Sequence, residues 1–465
     1  MCESSIDVAP GVRASERVVV HVNSSAARWV GASAVFSAAC WLVTAIAHGR
    51  DHAGWHATGR VGWSLTALAA VALIARGIFL GRPVTAGHAA IAVLVLSTGI
   101  GAHVLAFDLI GDVLIAGSGL ALTWPASARG HPDDLSRVWA LINATAGDPL
   151  APFAMQAGKC YLFSADQRAA LAYRTRIGFA VVSGDPVGDE AQFPALVADF
   201  AKMCHTRGWR IVVLACSEHR LELWTDPKVL GQALRPIPIG RDVVIDVATF
   251  DMVGRKFRNL RQAVKRTHNC GITTEIVDEQ ELDGRLLAEL TEVLRTSVRG
   301  GHTDRGYCMN LDGVLEGRYP GVKLIIARDK SGRVQGFHRY ATAGHGRDIT
   351  LDVPWRRSGA PNGIDERLSI DMINAAKDTG AQRVSLAFAA FPEIFDQKQR
   401  GRMQGLFYWL IHLLNPLIAL ESLYRYLRKF HSPGQRRYAL VSLRHLVPLI
   451  YVMLSLEFTP RRRNF

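Results

Sequence analysis

Residues 322–353 read VKLIIARDKSGRVQGFHRYATAGHGRDITLDV. Within them Val322–Arg328, Arg333–Thr342 and Asp348–Val353 are short runs rich in β-branched and aromatic residues, the first two separated by the turn Lys330-Ser331-Gly332, so the pattern predicts three strands. The period then changes: Gly363–Thr379 reads as a helix, and Arg383–Phe388 as a further strand. Upstream, Met252–His268 and Glu279–Val298 have helical periodicity. Earlier still the order is similar: a strand at Arg176–Ser183 ending in Gly184-Asp185-Pro186-Val187-Gly188, a helix at Gln192–Thr206, a buried strand at Trp209–Ala215, and Leu221–Trp224 as a continuation of the sheet. Strands and helices alternate twice, which predicts mixed α/β architecture in two successive units.

Ahead of this region the chain changes character. Trp29–Ala47 carries no charge and, at roughly 1.5 Å per residue, is long enough for a bilayer core of about 30 Å. Val61–Leu80 is a second span, with Arg76 near its end able to extend toward the headgroups. His88–Trp124 is apolar except for His88, His103, Asp108 and Asp112, and predicts two spans joined by a turn at Phe107–Asp112. Four spans place both termini on one side, so Arg13, Arg17, Arg28 and Arg82 share the cytoplasmic side with the rest of the chain.

Charge is divided in the same way. Up to Trp124 there are seven Arg, no Lys and six acidic residues, leaving 47 basic and 35 acidic residues after it. The second part is therefore basic, as for an anion binder or a well-solvated surface. Seven cysteines are scattered without a C-x-x-C pair, which favours reduced thiols over a disulfide framework or a zinc site. His48, Asp51, His52 and His56 approach ligand spacing, but Gly49 and Gly54 favour an irregular solvated loop. There is no G-x-S-x-G and no G-x-x-x-x-G-K-[ST], which removes the common signatures of serine hydrolysis and of P-loop nucleotide chemistry.

At 100° per residue Arg255, Arg258, Arg261, Lys265 and Arg266 fall within about 140° of arc, so one helix face is a basic stripe, with Lys256 pointing elsewhere. Such a face contacts phosphates or is simply solvated. Met403–Leu420 is free of charge and is followed by Arg425, Arg428 and Lys429; it fits an interfacial helix beside anionic lipid, or a core helix kinked at Pro416. Leu446–Leu456, followed by Arg461-Arg462-Arg463, presents the same pair of readings.

From about Asp134 to Phe458 the sequence resembles the catalytic region of the lysyl-phosphatidylglycerol synthases, the multiple peptide resistance factors. The resemblance rests on landmarks in order: Gly184–Gly188; Ile239-Gly240 with Val244-Ile245-Asp246; the Gly254–Arg266 segment closed by Gly271; Leu351-Asp352; Pro361-Asn362-Gly363 with Glu366; Glu421–Arg425; Lys429-Phe430; and Arg437-Tyr438. Departures from the family pattern are Pro354 and Trp355 ahead of Arg356-Arg357, Arg367 after the Glu, Ala387 in the late strand, and no Trp around Gly434.

The resemblance implies two tandem acyltransferase-like (GNAT-like) α/β units, and the apolar runs read above place them behind an all-α transmembrane region of about four helices. The expected boundaries are a tail at 1–28, membrane helices at 29–124, a first unit at 125–245, a second with the catalytic site at 246–440, and an apolar and basic segment at 441–465. The resemblance further implies an aminoacyl group, lysyl favoured, moved from aminoacyl-tRNA to phosphatidylglycerol at the inner leaflet of the plasma membrane, with no cofactor. Homo-oligomerisation is left open. Asp352 and Glu366 are the expected catalytic carboxylates, one for the donor's α-amino group and one for the acceptor; helix capping or pairing with an Arg is the alternative for each. Lys256, Arg258, Arg261, Arg266, Arg356, Asn362, Lys429 and Arg437 are the expected substrate-binding residues. Rival readings are an acyl-coenzyme A enzyme and an inactive homologue that binds lipid or tRNA.

Overall fold

The computed structural model describes residues 18–20, 25–49, 55–297, 303–304, 310–390, 425–457 and 461–462. Met403–Leu420, Glu421–Tyr424 and the Asp51-His52 pair lie outside the described residues. The chain divides into two compact units: Met1–Ala128 with Thr175–Ala180 and Asp199–Ile211, and Arg129–Arg174 with Val181–Ala198 and Val212–Phe465.

The first unit is built on helices α1 (Ser25–Gly49), α2 (Trp55–Phe79), α3 (Ala86–Val104) and α4 (Asp108–Leu122), with short strands β1 (Val18–Val20) and β2 (Val84–Thr85) paired antiparallel. Helix α1 packs on α2, and α4 packs on both α2 and α3. A Cβ on Gly119 would stand 2.5 Å from the Ala70 carbonyl oxygen, so only glycine admits this close approach of α4 to α2. Outward, α3 exposes Ile91, Val93, Leu94 and Ile100, and α4 exposes Leu109, Ile110 and Val113.

Four helices lie among the described residues of the region where four spans are expected, but four membrane spans are not shown. By length and composition, α3 alone among the described residues is long and apolar enough to cross a membrane, and Trp29–Trp41 and Leu65–Phe79 are shorter apolar stretches. The turn between α3 and α4 falls at residues 105–107, ahead of the expected position. Asp108 then opens α4, where a carboxylate is favoured by the helix dipole, and lies 3.1 Å from His103 Nδ1.

The remaining elements, in chain order, are α5 (Asp134–Ala144), β3 (Cys160–Phe163), β4 (Ala169–Arg176), β5 (Phe179–Ser183), β6 (Val187–Gly188), α6 (Phe193–Thr206), β7 (Arg210–Ser217), α7 (Pro227–Leu230), β8 (Arg235–Asp246), α8 (Arg258–Asn269), β9 (Thr273–Asp278), α9 (Gly284–Thr296), β10 (Thr303–Asp304), β11 (Val322–Arg328), β12 (Val334–Ala343), β13 (Asp348–Arg356), α10 (Ile364–Asp378), β14 (Arg383–Ala390), β15 (Pro433–Val441), α11 (Leu446–Glu457) and β16 (Arg461–Arg462). Among the described residues twelve strands form one sheet in the order β3-β4-β5-β7-β15-β8-β14-β13-β12-β11-β9, with β6 on β4; β10 and β16 pair separately. The late strand β15 is antiparallel to both β7 and β8, so it closes the gap between the two halves.

Alternation along β12 divides the second half into two cores. Tyr340 packs with Ile349, Leu351, Leu260 and Leu368 on the side of α8 and α10, whereas Phe337 packs with Leu324, Ile326, Trp355 and Leu290 on the side of α9. The expected strand at Leu221–Trp224 is instead part of a 3-10 helix, Glu218–Trp224, anchored by buried Trp224. Helix α8 begins at Arg258, later than its periodicity suggests. Gly254 takes φ +92°, a 3-10 turn follows at Arg255–Phe257, and the Arg261 guanidinium donates to the carbonyls of Met252 and Gly254.

Arg437 on β15 is almost fully buried. Its guanidinium donates to Asp242 Oδ2 at 2.8 Å, Asp148 Oδ1 at 2.6 Å, Asp185 Oδ2 at 3.3 Å and the Ala215 carbonyl at 3.2 Å. Removing the cation leaves three buried carboxylates facing one another. Arg437→Met is expected to destabilise the chain by about 3–5 kcal/mol, the cost of breaking a buried ion pair. Arg437→Lys should recover only part of it, because an ammonium lacks the fork that reaches three acceptors. Thermal unfolding of the full chain in detergent measures both.

Candidate active site

The turn Pro361-Asn362-Gly363 launches α10. Gly363 has φ +103°, and a Cβ there would lie 2.8 Å from the Ala263 carbonyl oxygen, so glycine brings the start of α10 against α8. Asn362 is exposed at this turn. Asp365 and Glu366 follow in the first turn of α10, where the helix dipole favours carboxylates.

Glu366 is buried and forms a close ion pair with Lys429, whose side chain remains partly open. Asp365 lies 3.2 Å from His338 Nε2 and 3.5 Å from Arg356 Nη1. Behind it, His338 Nδ1 is 3.5 Å from the Tyr340 hydroxyl, which is 3.4 Å from Ser369 Oγ, and Ser369 is in close contact with the Tyr426 hydroxyl. Burial pushes the phenols of Tyr340 and Tyr426 above their ordinary range, so both stay neutral hydrogen-bond donors.

Around this turn stand other residues singled out by sequence. His431 Nε2 donates to the Lys256 carbonyl oxygen at 3.2 Å, and its ring meets Phe257 edge-on at 5.6 Å. The Lys256 ammonium sits 4.9 Å above the Phe257 ring. Arg258, Lys265 and Arg266 lie on the open side of α8, while Leu260 and Ala263 form its buried side. Arg261 is exposed as well, with its guanidinium tied to the loop carbonyls described above.

Asp352 and Arg437 lie elsewhere. The β12–β13 register passes from Arg339↔Val353 to Tyr340↔Leu351, which leaves Asp352 as the extra residue of a β-bulge. Its Oδ1 accepts from Leu311 N at 2.7 Å and its Oδ2 from Arg339 Nη1 at 2.9 Å. Arg339 donates in turn to Glu279 Oε2 at 2.7 Å. Since Arg339 alternates with His338 and Tyr340 along β12, Asp352 is on the sheet face opposite Glu366. The structure therefore separates these two carboxylates. Arg437 belongs to its own buried cluster, and Asp365, His338, Tyr340, Ser369 and Tyr426 join Glu366 instead. The signal for Asp365 is its place beside Glu366 just after a Pro-Asn-Gly helix start.

Beside the site, β13 and β14 run parallel for only three pairs, Asp348↔Arg383 to Thr350↔Ser385. Beyond these pairs the β13–β14 ladder ends, while β13 continues to Arg356, next to Asp365.

The α/β fold of this region is shared with solved lysylphosphatidylglycerol synthetase domains. The L-PGS structure from Bacillus licheniformis superposes with a TM-score of 0.59 at 19% identity, over 70% of this chain and 98% of that one. The C-terminal DUF2156 domain assigned to a lysylphosphatidylglycerol synthetase of Agrobacterium fabrum gives 0.59 and 19%, over 71% and 99%. The chain belongs to the family described as phosphatidylglycerol lysyltransferase, C-terminal, whose model matches residues 139–441. It is 70% identical over 460 residues to the MprF-like domain protein Rv1619 of Mycobacterium tuberculosis H37Rv, covering 99% of this chain and 95% of that protein. It is 29% identical over 308 residues to the lysylphosphatidylglycerol biosynthesis bifunctional protein LysX of Mycolicibacterium vanbaalenii; that match covers 66% of this chain and 27% of the bifunctional protein.

Burial holds Asp352 up at about 6 although Arg339 pulls it down, and burial likewise holds Asp242 at about 6 against Arg437. Both values exceed the unfolded one of about 3.9, so the folded state binds more protons between those limits and stability falls as pH rises through them. The stability difference between the parent and Asp352→Asn, which cannot titrate, is expected to move against the parent from about pH 4 to about pH 6. Thermal unfolding across that range, compared variant by variant, tests it.

Proposed function

We infer that the chain transfers an aminoacyl group, lysyl favoured, from aminoacyl-tRNA to the headgroup hydroxyl of phosphatidylglycerol at the inner leaflet. It acts as a multi-pass plasma-membrane protein whose two tandem acyltransferase-like units, 125–245 and 246–440, are cytoplasmic. The observation that carries this reading is the convergence, within a family of transferases, of a buried Glu366–Lys429 pair with Arg356 and Lys256 around the starts of α8 and α10.

Exchange of one ester for another requires no nucleotide hydrolysis. It requires a carboxylate for the donor's α-ammonium, cations for the phosphates on both substrates, and a proton acceptor for the attacking hydroxyl. Glu366 is assigned to the ammonium, Lys429 and Arg356 to phosphate near the reacting ester, and Lys256, Arg258 and Arg266 to the tRNA backbone. Asn362 lines the same turn. Arg261 contributes by holding the 252–254 loop. Asp352 and Arg437 act through the buried ion pairs that brace the sheet. The apolar outer faces of α3 and α4 support residence in a bilayer. The product lipid carries less negative charge, which weakens attraction of cationic peptides.

Membranes containing the full chain, supplied with individually charged tRNAs, are expected to form a ninhydrin-positive lipid with one of them; no such lipid from any charged tRNA removes the reading. Glu366→Gln should raise KM for the productive tRNA about 10–100-fold, through loss of a charged hydrogen bond worth roughly 1.5–3 kcal/mol. Arg258→Ala with Arg266→Ala should weaken tRNA binding and lower the slope of log affinity against log salt by about one for each phosphate that is no longer neutralised.

A further inference from the structure

The geometry points to Asp365 as the proton acceptor for the attacking hydroxyl, with His338 and Tyr340 as positioning residues behind it. This rests on the aminoacyl-transfer reading. Neither Asp365 nor His338 is among the residues that the sequence motifs single out.

Three observations converge. Asp365 is on the same face as Glu366 and Lys429, and keeps 19% of its side-chain surface open. Asp352, by contrast, is closed off on the other face by Arg339 and Leu311. Second, among the described residues His338 from β12 and Arg356 from β13 hold the Asp365 carboxylate, with Glu366 the next residue on α10, paired to Lys429, and Tyr426 nearby on the segment preceding β15.

Third, the chain of donors has one polarity. An ionised carboxylate only accepts, so His338 Nε2 carries the proton that reaches Asp365. With Nδ1 as the acceptor, the consistent sequence is Tyr340 donating to it, Ser369 donating to Tyr340, and Tyr426 donating to Ser369. Each hydroxyl in that sequence gives one proton, and Tyr340 and Ser369 each receive one. The arrangement favours the His338 tautomer that donates to Asp365, and substrate is placed at the 19% of the Asp365 side chain that stays exposed.

In the reaction, the glycerol hydroxyl gives its proton to Asp365 while its oxygen bonds to the ester carbonyl carbon. The tetrahedral adduct collapses by breaking the carbon–oxygen bond to the ribose. Asp365 returns the proton to that departing oxygen, so the carboxylate ends as it began and no further reactant is consumed.

The test uses membranes containing the full chain, with lipid product measured against charged tRNA and phosphatidylglycerol concentration and against pH, at equal protein level. Asp365→Asn is expected to lower kcat about 100-fold or more, with KM for charged tRNA within about twofold. His338→Leu should lower kcat about 10-fold and move the acid limb of the pH profile to higher pH, since a carboxylate that loses a donor is easier to protonate. His338→Gln, whose amide N–H can stand in for Nε2–H, should keep the parent's acid limb and most of its rate.

A parent that makes aminoacyl lipid while Asp365→Asn makes it within twofold overturns the assignment alone. Equal impairment of both His338 variants with an unmoved acid limb overturns the positioning role. Should Asp365→Asn fail to accumulate, the two His338 profiles decide the matter by the same criterion. A parent that makes no aminoacyl lipid from any charged tRNA takes down the transfer reading and this assignment together.

Discussion

One guanidinium holds the long sheet in register. Arg437 enters on β15, the last strand of the sheet to arrive in sequence, and meets carboxylates contributed by the 147–150 loop, the 184–188 turn and β8. Taking these ions out of water is costly, and the cost is offset only when every donor of the fork finds its acceptor at once. The strand therefore has one acceptable position between β7 and β8. That position has a consequence upstream, because the residues just before β15 carry Tyr426, Lys429 and His431. Fixing β15 delivers Lys429 to Glu366 and His431 to the Lys256 carbonyl.

A second buried guanidinium acts on the other side of the same sheet. Arg339 is surrounded by Asp352, Glu279 and the carbonyls of Asp312 and Gly313. The bulge at Asp352 lets this carboxylate reach Arg339 while Leu351 stays in the core beneath α10. Because alternation sends His338 and Tyr340 to the opposite face, the brace on one face orients the polar chain on the other. Separation of the two tasks explains how a strand can hold an arginine paired with two buried carboxylates next to a histidine directed at Asp365.

The strands at 322–353 and the helix after the Pro-Asn-Gly turn were legible because β-branched runs, a Ser-Gly turn and a change of period are local signals. The start of α8 was not, since Gly254 and the Arg261 guanidinium override a helical periodicity that extends further upstream. Leu221–Trp224 looked like a strand for want of any local sign that Trp224 anchors a tight turn. Among the site residues, Glu366, Lys429, Arg356 and Lys256 were visible as charged positions near motifs, and the structure groups them. The surroundings of Asp352 could not be read, because its partner lies across a bulge and the enclosing Leu311 and Glu279 come from distant segments. Arg437 posed the same difficulty: a conspicuous Arg-Tyr pair says nothing of three aspartates drawn from widely separated positions. His338 was hidden for the converse reason, as a lone histidine in an apolar strand looks like core.

The site's economy of charge follows from the reaction proposed for it. An ester exchange neither gains nor loses a formal charge, so a surplus of fixed cations would stabilise bound phosphates in ground and transition states alike and add little to the rate. What helps is a set of groups already in place when charge begins to move. Around the start of α10 each acid is matched, Glu366 by Lys429 and Asp365 by Arg356 and the His338 N–H, and the helix dipole supports both. The cations of α8 sit apart, on its solvent side, where a polyanion can be gripped without perturbing the paired carboxylates. A catalyst that must hold two phosphate-bearing substrates yet move only a proton and an acyl group is well served by that division.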